Sequence, residues 1–332
     1  MSPSQPVPVD VVAKARARAA ARVRRDWSEA DRLRAEIETA GWKIVDRGTE
    51  FELSPASPPD VVESGVVRYG SSRTVPSRLD DEPIGLATVV LVAEDWVDDL
   101  ARAVASLTEH GPDGLRVAIV ANDPAPEQAA RLEAVDATDP GSPGIETEVV
   151  WTSARLGYAA AVNAGIRRAS AGVVVLLDTS VELTGDAITP LVRALDNPSV
   201  ALAGPFGIVS DDLRHFQEAP PGAVDAIEGY CLAFRRDDYR ERGPLDEHFR
   251  FYRNLDIWWS LVLRDAGVGQ PPRRALALAD LPLVRHEHRG WSSVPEAERD
   301  RLSRRNFYRL LDRFRDRTDL LVGRGASERP TG

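Results

Sequence analysis

Three stretches of this 332-residue sequence predict an α/β fold: a mainly parallel sheet flanked by helices, preceded by a small N-terminal helical hairpin and β-ribbon. The first stretch is Arg155 to Leu183. There a turn with Gly157 leads into a helix carrying Ala160, Ala161 and Ala164, closed off by Gly165, Ala169 and Gly172. The second lies within it: Val173 to Leu177 is the unbroken apolar run expected of a strand covered on both faces. Asp178 stands at its carboxyl end, the edge where open α/β sheets bind ligands. The third is the alternation of strand text at Leu86 to Val92, Leu115 to Val120 and Val149 to Thr152 with helical text, such as Trp96 to Glu109. Such alternation predicts parallel pairing through right-handed crossovers.

In chain order, residues 1–54 form the first expected unit. A helix from about Asp10 to Arg25 is dense in Ala and Arg. Asp26-Trp27-Ser28 can cap a second helix, on which Ala30, Leu33, Ile37 and Ala40 recur at helical spacing until Gly41 ends it. Trp42, Ile44 and Val45, then Phe51 and Leu53, read as a β-ribbon across Arg47-Gly48. The text from Ala15 to Leu53 resembles the small C-terminal module of bacterial cysteinyl-tRNA synthetases, without that enzyme's catalytic or zinc-binding sequence. Lys14, Arg16, Arg18, Arg22, Arg24 and Arg25 read as a solvated helix face, balanced by Asp26, Glu29, Asp31, Glu36 and Glu38. Residues 55–83, rich in Pro, Ser, Gly and Asp, predict a linker with an extended segment at Val61 to Tyr69. Residues 84–321 carry the α/β unit and end in an Arg-rich helix from Glu296, and 322–332 read as a flexible tail.

Composition narrows the function. A net charge of -10 argues against wholesale binding to nucleic acid or anionic lipid, leaving only regional contact, such as a peripheral one at the inner face of a membrane. Cys231 is the single cysteine, which excludes an intrachain disulfide and a Cys-based zinc site. With no basic start followed by an apolar core and no apolar run of about twenty residues, a cytoplasmic location is the expectation. The apolar stripe of Leu33, Ile37 and Trp42 is short for an independent core, so the hairpin is expected to dock on the rest of the chain or on a second copy.

The central pattern resembles family 2 glycosyltransferases of the GT-A, nucleotide-diphospho-sugar transferase fold. Gly157, Asn163, Gly165 and the strand-end Asp178 match. Ser180 stands where the family's Asp-x-Asp motif has its second Asp. The stretch Ala226 to Gly267 resembles the acceptor half, with Gly229, Arg235, Arg236, Gly243, Leu245, Asp246, Glu247, Phe249, Tyr252 and Gly267 aligned. Counting back from Gly267 puts Asp256 at the catalytic Asp, with Leu255 replacing the preceding Glu. Asp256 also suits a helix N-cap.

The resemblance implies an inverting, hexosyltransferase-type enzyme that moves a sugar from a nucleotide-diphosphate donor to a hydroxyl of a glycan or glycolipid acceptor, in cell-envelope synthesis in the commonest case. Asp256 is then the base. Glu94, Asn122, Asp123, Gly157, Asn163 and Asp178 bind the donor, and Asp246, Glu247, Trp258 and Trp291 the acceptor. A divalent metal, Mg or Mn, would rest on Asp178 and a late His, His286 or His288, with His286 taken as the ligand. Two other readings stand beside this one. Ala121, Ser180 and Leu255 depart from the family pattern, as in a member that binds without turnover, and the hairpin admits an RNA-associated protein.

Overall fold

The computed structural model describes residues 7–47, 50–136, 145–267 and 270–322. The proposed tail, from residue 323 on, and the tip of the β-ribbon lie outside the described residues.

The N-terminal unit pairs the helices Val9–Val23 and Trp27–Thr39, with Asp26 as N-cap accepting the amide of Glu29 at 3.2 Å. Strands Trp42–Arg47 and Glu50–Pro55 are antiparallel, Trp42 opposite Pro55. Val11, Ala15, Ile37, Trp42 and Ile44 make a small core of their own, with Phe51 and Leu53 against it. The helical charges are largely consumed inside the unit. Arg18, expected on a solvated face, is 4% exposed and grips Asp46 with two hydrogen bonds, while Arg22 reaches the same carboxylate. Arg32 pairs with Glu29 and Glu36, and Arg34 with Glu38. That leaves Arg16, Arg24 and Arg25 outside these ion pairs as the cations of the hairpin that a phosphate backbone could meet.

Residues 55–83 are built into the α/β body instead of bridging to it. Val61–Glu63 and Val66–Arg68 form a hairpin, and Tyr69 bridges to Thr152. Val75 is fully buried and Leu79 is 8% exposed. Carbonyls of the segment are held from the body: Val75 by Arg167, Pro76 by Arg168, and Asp81 by Arg236. Pro, Gly and Ser dominate the local text, and the few apolar anchors recur at no strand or helix period. That is why the segment reads as a linker. A fragment starting at residue 84 would lack both anchors.

The main sheet runs Gly222–Val224, Arg274–Ala277, Val200–Gly204, Cys231–Arg235, Val173–Leu177, Ala87–Ala93, Leu115–Ala121, Glu146–Trp151. All but Gly222–Val224 and Cys231–Arg235 point the same way. Side chains alternate between two cores. Val90, Ala118 and Val174 join one, and Val89, Leu91, Ile119 and Val175 the other, the period of two a doubly covered sheet requires. Helix Tyr158–Ile166 lies against the sheet because Gly165 lets it in: a Cβ there would stand 2.4 Å from Val90 Cγ1. Among the described residues no helix is long and apolar enough to cross a membrane.

Candidate active site

Parallel strands deliver their next residues to one edge: Glu94 and Asp95 after Ala87–Ala93, Asn122 after Leu115–Ala121, Asp178 after Val173–Leu177. A cavity of about 560 Å³ opens there. Glu94 lies in its wall, with a carboxyl pushed up by burial more than the Arg155 charge and the Asn122 amide pull it down. Asn122 is fully buried and spends its amide on structure, donating to Glu94 at 2.7 Å and Leu156 O at 3.2 Å and accepting the Leu156 amide at 2.8 Å. It ties the Gly157 turn to the strand ends. Arg155 forks onto Asp95 and reaches the carbonyl of Asp123, whose φ of +50° marks a tight turn. Asp123 does not line the cavity.

The helix after Gly157 spends its first amides on protein rather than leaving them for a phosphate. Tyr158 N donates to Arg250 O at 3.0 Å and Ala159 N to Phe249 O at 3.1 Å. Gly157 permits this, because a Cβ would meet Arg250 Cγ at 2.9 Å and its Cα at 3.0 Å. The Arg250 guanidinium meets no carboxylate among the described residues and borders the cavity as a cation open to ligand. Asn163, expected at the donor, is 1% exposed and works as a bolt between the helix and the 245–247 loop. It donates to Leu245 O and Glu247 and accepts from the Leu245 amide and Tyr239.

Asp178 faces His288, with Oδ2 and Nε2 3.1 Å apart. Its Oδ1 accepts from the amide and hydroxyl of Ser180, so the residue in place of a second Asp locks the first. Burial pushes the Asp178 carboxyl up, but His288 and Ser180 together outweigh it and hold the carboxyl below the usual range. On His288, burial opposes the charged ring and the Asp178 contact outweighs it, raising the imidazole above its ordinary value. His288 Nδ1 caps the short helix Arg289–Ser292 by accepting the Trp291 amide at 3.0 Å, which leaves Nε2–H to face Asp178. His286, expected as the metal ligand, turns instead to Glu182 at 2.7 Å. Among the described residues no three His, Cys, Asp or Glu side chains converge into a protein-only metal cage. Asp178 can offer carboxylate oxygens to a cation whose other ligands are diphosphate oxygens and water, whereas His288, with Nδ1 accepting from Trp291 and Nε2–H turned to Asp178, has no free lone pair for it.

A second cavity, about 60 Å³, holds Asp256. Tyr158, Asp178, Tyr252 and His288 border both cavities and form the partition between them. Within it the Tyr252 and His288 rings stack at 4.5 Å, and the Tyr158 and Tyr252 rings meet edge-on at 6.0 Å. Asp256 lies in the first turn of helix Leu255–Arg264, whose N-cap is Asn254 with φ +65°, so the cap role expected for Asp256 belongs to Asn254. Asp256 Oδ2 accepts the Gly229 amide at 3.0 Å and Oδ1 the Ile257 amide at 2.9 Å. Desolvation nevertheless raises its carboxyl above the ordinary range, helped by Glu228 and opposed by those amides and Arg253. Arg253 and Arg285 border the same cavity.

The expected acceptor residues lie elsewhere. Trp258 is 4% exposed in the core against Phe249 and Trp259, because it falls on the inward face of its helix. Trp291 stacks on Phe251 between Arg253 and Arg299, outside both cavity linings. Glu247 is drawn to Ser72 and Asn163, and Asp246 to His248 and Arg309. Residues not anticipated are Trp96, Gln128, Arg250 and Phe251, all in the lining of the large cavity. Of these only Arg250 and Phe251 had a signal, their place beside the aligned Phe249 and Tyr252.

The glycosyl transferase family 2 model matches residues 88–253, half of the chain, which takes in Glu94 to Tyr252 and stops just short of Asp256. A cysteine–tRNA ligase of Opitutus terrae is 44% identical over 55 residues, 17% of this chain and 12% of the ligase. The structure of GalNAc-T7 with UDP, GalNAc and Mn2+ superposes with a TM-score of 0.56 at 16% identity, over 72% of this chain and 49% of that one. The mannosyltransferase PcManGT from Pyrobaculum calidifontis, in complex with GDP-Man and Mn2+, gives a TM-score of 0.49 at 18% identity, over 66% and 62%. The chain thus spans about half the length of GalNAc-T7 and about an eighth of the ligase. Its mainly parallel sheet, helical flanks and family match together place it in the GT-A fold, and the chain belongs to glycosyl transferase family 2.

Proposed function

We propose that the chain is an inverting glycosyltransferase that moves a sugar from a nucleoside-diphosphate donor in the large cavity to a hydroxyl group presented in the small one. The observation that carries this reading is the shared partition: Asp178 and His288 face both cavities, and Asp256 waits on the far side with its carboxyl desolvated. A base whose pKa is raised accepts a proton more readily, provided it is still ionised at working pH. Asp256 takes the acceptor proton as the oxygen attacks the anomeric carbon, the bond to the diphosphate breaks, and attack from the opposite face inverts the configuration. The Gly229 amide fixes the carboxylate, while Arg250 and the His288 N–H supply positive potential for the departing diphosphate.

A divalent cation, Mg2+ or Mn2+, would be held by Asp178 with diphosphate oxygens and water and would neutralise charge on the diphosphate. The acceptor is a glycan or glycolipid, and Arg253 is the cation at the small cavity that could meet a phosphate or carboxylate on it, since Arg285 is already paired with Glu228 at 2.8 Å. In this reading the enzyme works from the cytoplasmic face of the membrane on cell-envelope material. The N-terminal unit serves docking or self-association, supported by the small size of its own core of Val11, Ala15, Ile37, Trp42 and Ile44. Proton NMR of turnover with α-linked nucleoside-diphosphate sugars tests the central step. A β-linked product is expected, and an α-linked product excludes this use of Asp256.

A further inference from the structure

Gln128 sits in the first turn of helix Pro126–Asp136, just beyond the strand that ends beside Asn122. It is 1% exposed and lines the large cavity with Glu94, Trp96 and Leu100. Among the described residues neither its amide nitrogen nor its amide oxygen has a hydrogen-bond partner. Buried amides are ordinarily satisfied, as those of Asn122 and Asn163 are, so a pair of orphaned groups at a cavity wall points to a ligand that supplies both partners. That ligand must present a donor beside an acceptor. Phosphate oxygens at neutral pH only accept, and they belong on the other side of the cavity. The strand leading to Gln128 and the strand ending at Asp178 flank Ala87–Ala93, so they are two interstrand spacings apart, roughly 10 Å. A ribose spans such a gap between a diphosphate and its base, and the Watson–Crick edge of a base offers a donor beside an acceptor.

We propose that Gln128 reads the nucleobase of the donor, giving one hydrogen bond and taking one at the edge of the ring. This assignment rests on the sugar-nucleotide reading of the cavity and adds its specificity-determining residue. The test titrates the full chain with UDP, CDP, ADP, GDP and inorganic pyrophosphate, reading affinity by calorimetry and folding by thermal denaturation. Wild type is expected to prefer one base. Gln128→Leu keeps similar volume without the polar groups, and its affinity for the preferred diphosphate is expected to fall about ten- to hundredfold, with pyrophosphate binding unchanged. Gln128→Glu exchanges the donor for an acceptor and is expected to raise GDP relative to the others, because guanine presents two adjacent N–H donors. Unaltered base preference in both variants, each melting like wild type without ligand, overturns the role of Gln128 alone. Absence of any nucleoside diphosphate binding by wild type overturns it together with the sugar-nucleotide reading.

Discussion

Asp178 and Asp256 border the same small cavity, yet the fold drives their carboxyls in opposite directions. Asp178 has three donors at hand, the His288 ring and the amide and hydroxyl of Ser180, and is held ionised. Asp256 has two backbone amides and an apolar neighbourhood that includes Leu232, Leu245, Leu255 and Trp259, and desolvation wins. Two identical side chains thereby acquire distinct uses. Under the proposed function, one would hold charge steadily at the donor and the other would change its protonation state at the acceptor. Divergent environments are how one pair of carboxylates divides acid–base work.

The largest expected effect separates the two roles. Asp256→Asn keeps shape and loses basicity, so turnover is expected to fall about a hundred- to ten-thousandfold while donor affinity is nearly unchanged. Steady-state kinetics alongside nucleotide titration checks this, and a matching loss of affinity would erase the distinction. Next comes stability, where opposite signs are expected at pH 7. A carboxyl with a lowered folded pKa stabilises above the ordinary carboxylate range and loses that contribution as pH falls through its folded value. A carboxyl with a raised folded pKa does the reverse and is a burden once pH exceeds its unfolded value. Asp178→Asn is therefore expected to destabilise by about 1–3 kcal/mol in denaturant melts, and the opposite sign at Asp256 is read as wild-type stability rising relative to Asp256→Asn as pH falls from 7 through the folded value.

Gly229→Ala probes how finely Asp256 is placed. The new Cβ would stand 3.1 Å from Asp256 Cβ, so the carboxylate must shift by a few tenths of an ångström, and turnover is expected to drop about tenfold with binding intact. The smallest effect is expected from Ser180→Asp, which adds a second carboxylate beside Asp178. Calorimetric titration with Mn2+ in the presence of nucleoside diphosphate is expected to show affinity raised by a few-fold.

Much of the sheet was legible, because the strand ending at Asp178 is an uninterrupted apolar run and its neighbours alternate with helical text. Asp178 and Asp256 were legible as chemical candidates for the same reason: each stands where an element begins or ends. Side-chain destinations were not. Asn163 and Glu247 look like site residues until bonds spanning more than eighty residues turn them into a joint between the Gly157 helix and the 245–247 loop. His286 and His288 are equivalent in the text, and only the short helix that His288 caps redirects its ring to Asp178. Gln128 carries no motif at all, since its burial depends on how its helix packs beside the strand edge.

The most direct test is the pH dependence of kcat/KM in the wild-type enzyme. The account predicts an acidic limb governed by Asp256, with activity falling as pH drops through a value above the ordinary carboxylate range, while donor binding persists to lower pH because Asp178 stays ionised. An acidic limb at or below the ordinary carboxylate value, falling in step with donor affinity, would contradict it and assign the titrating group to Asp178.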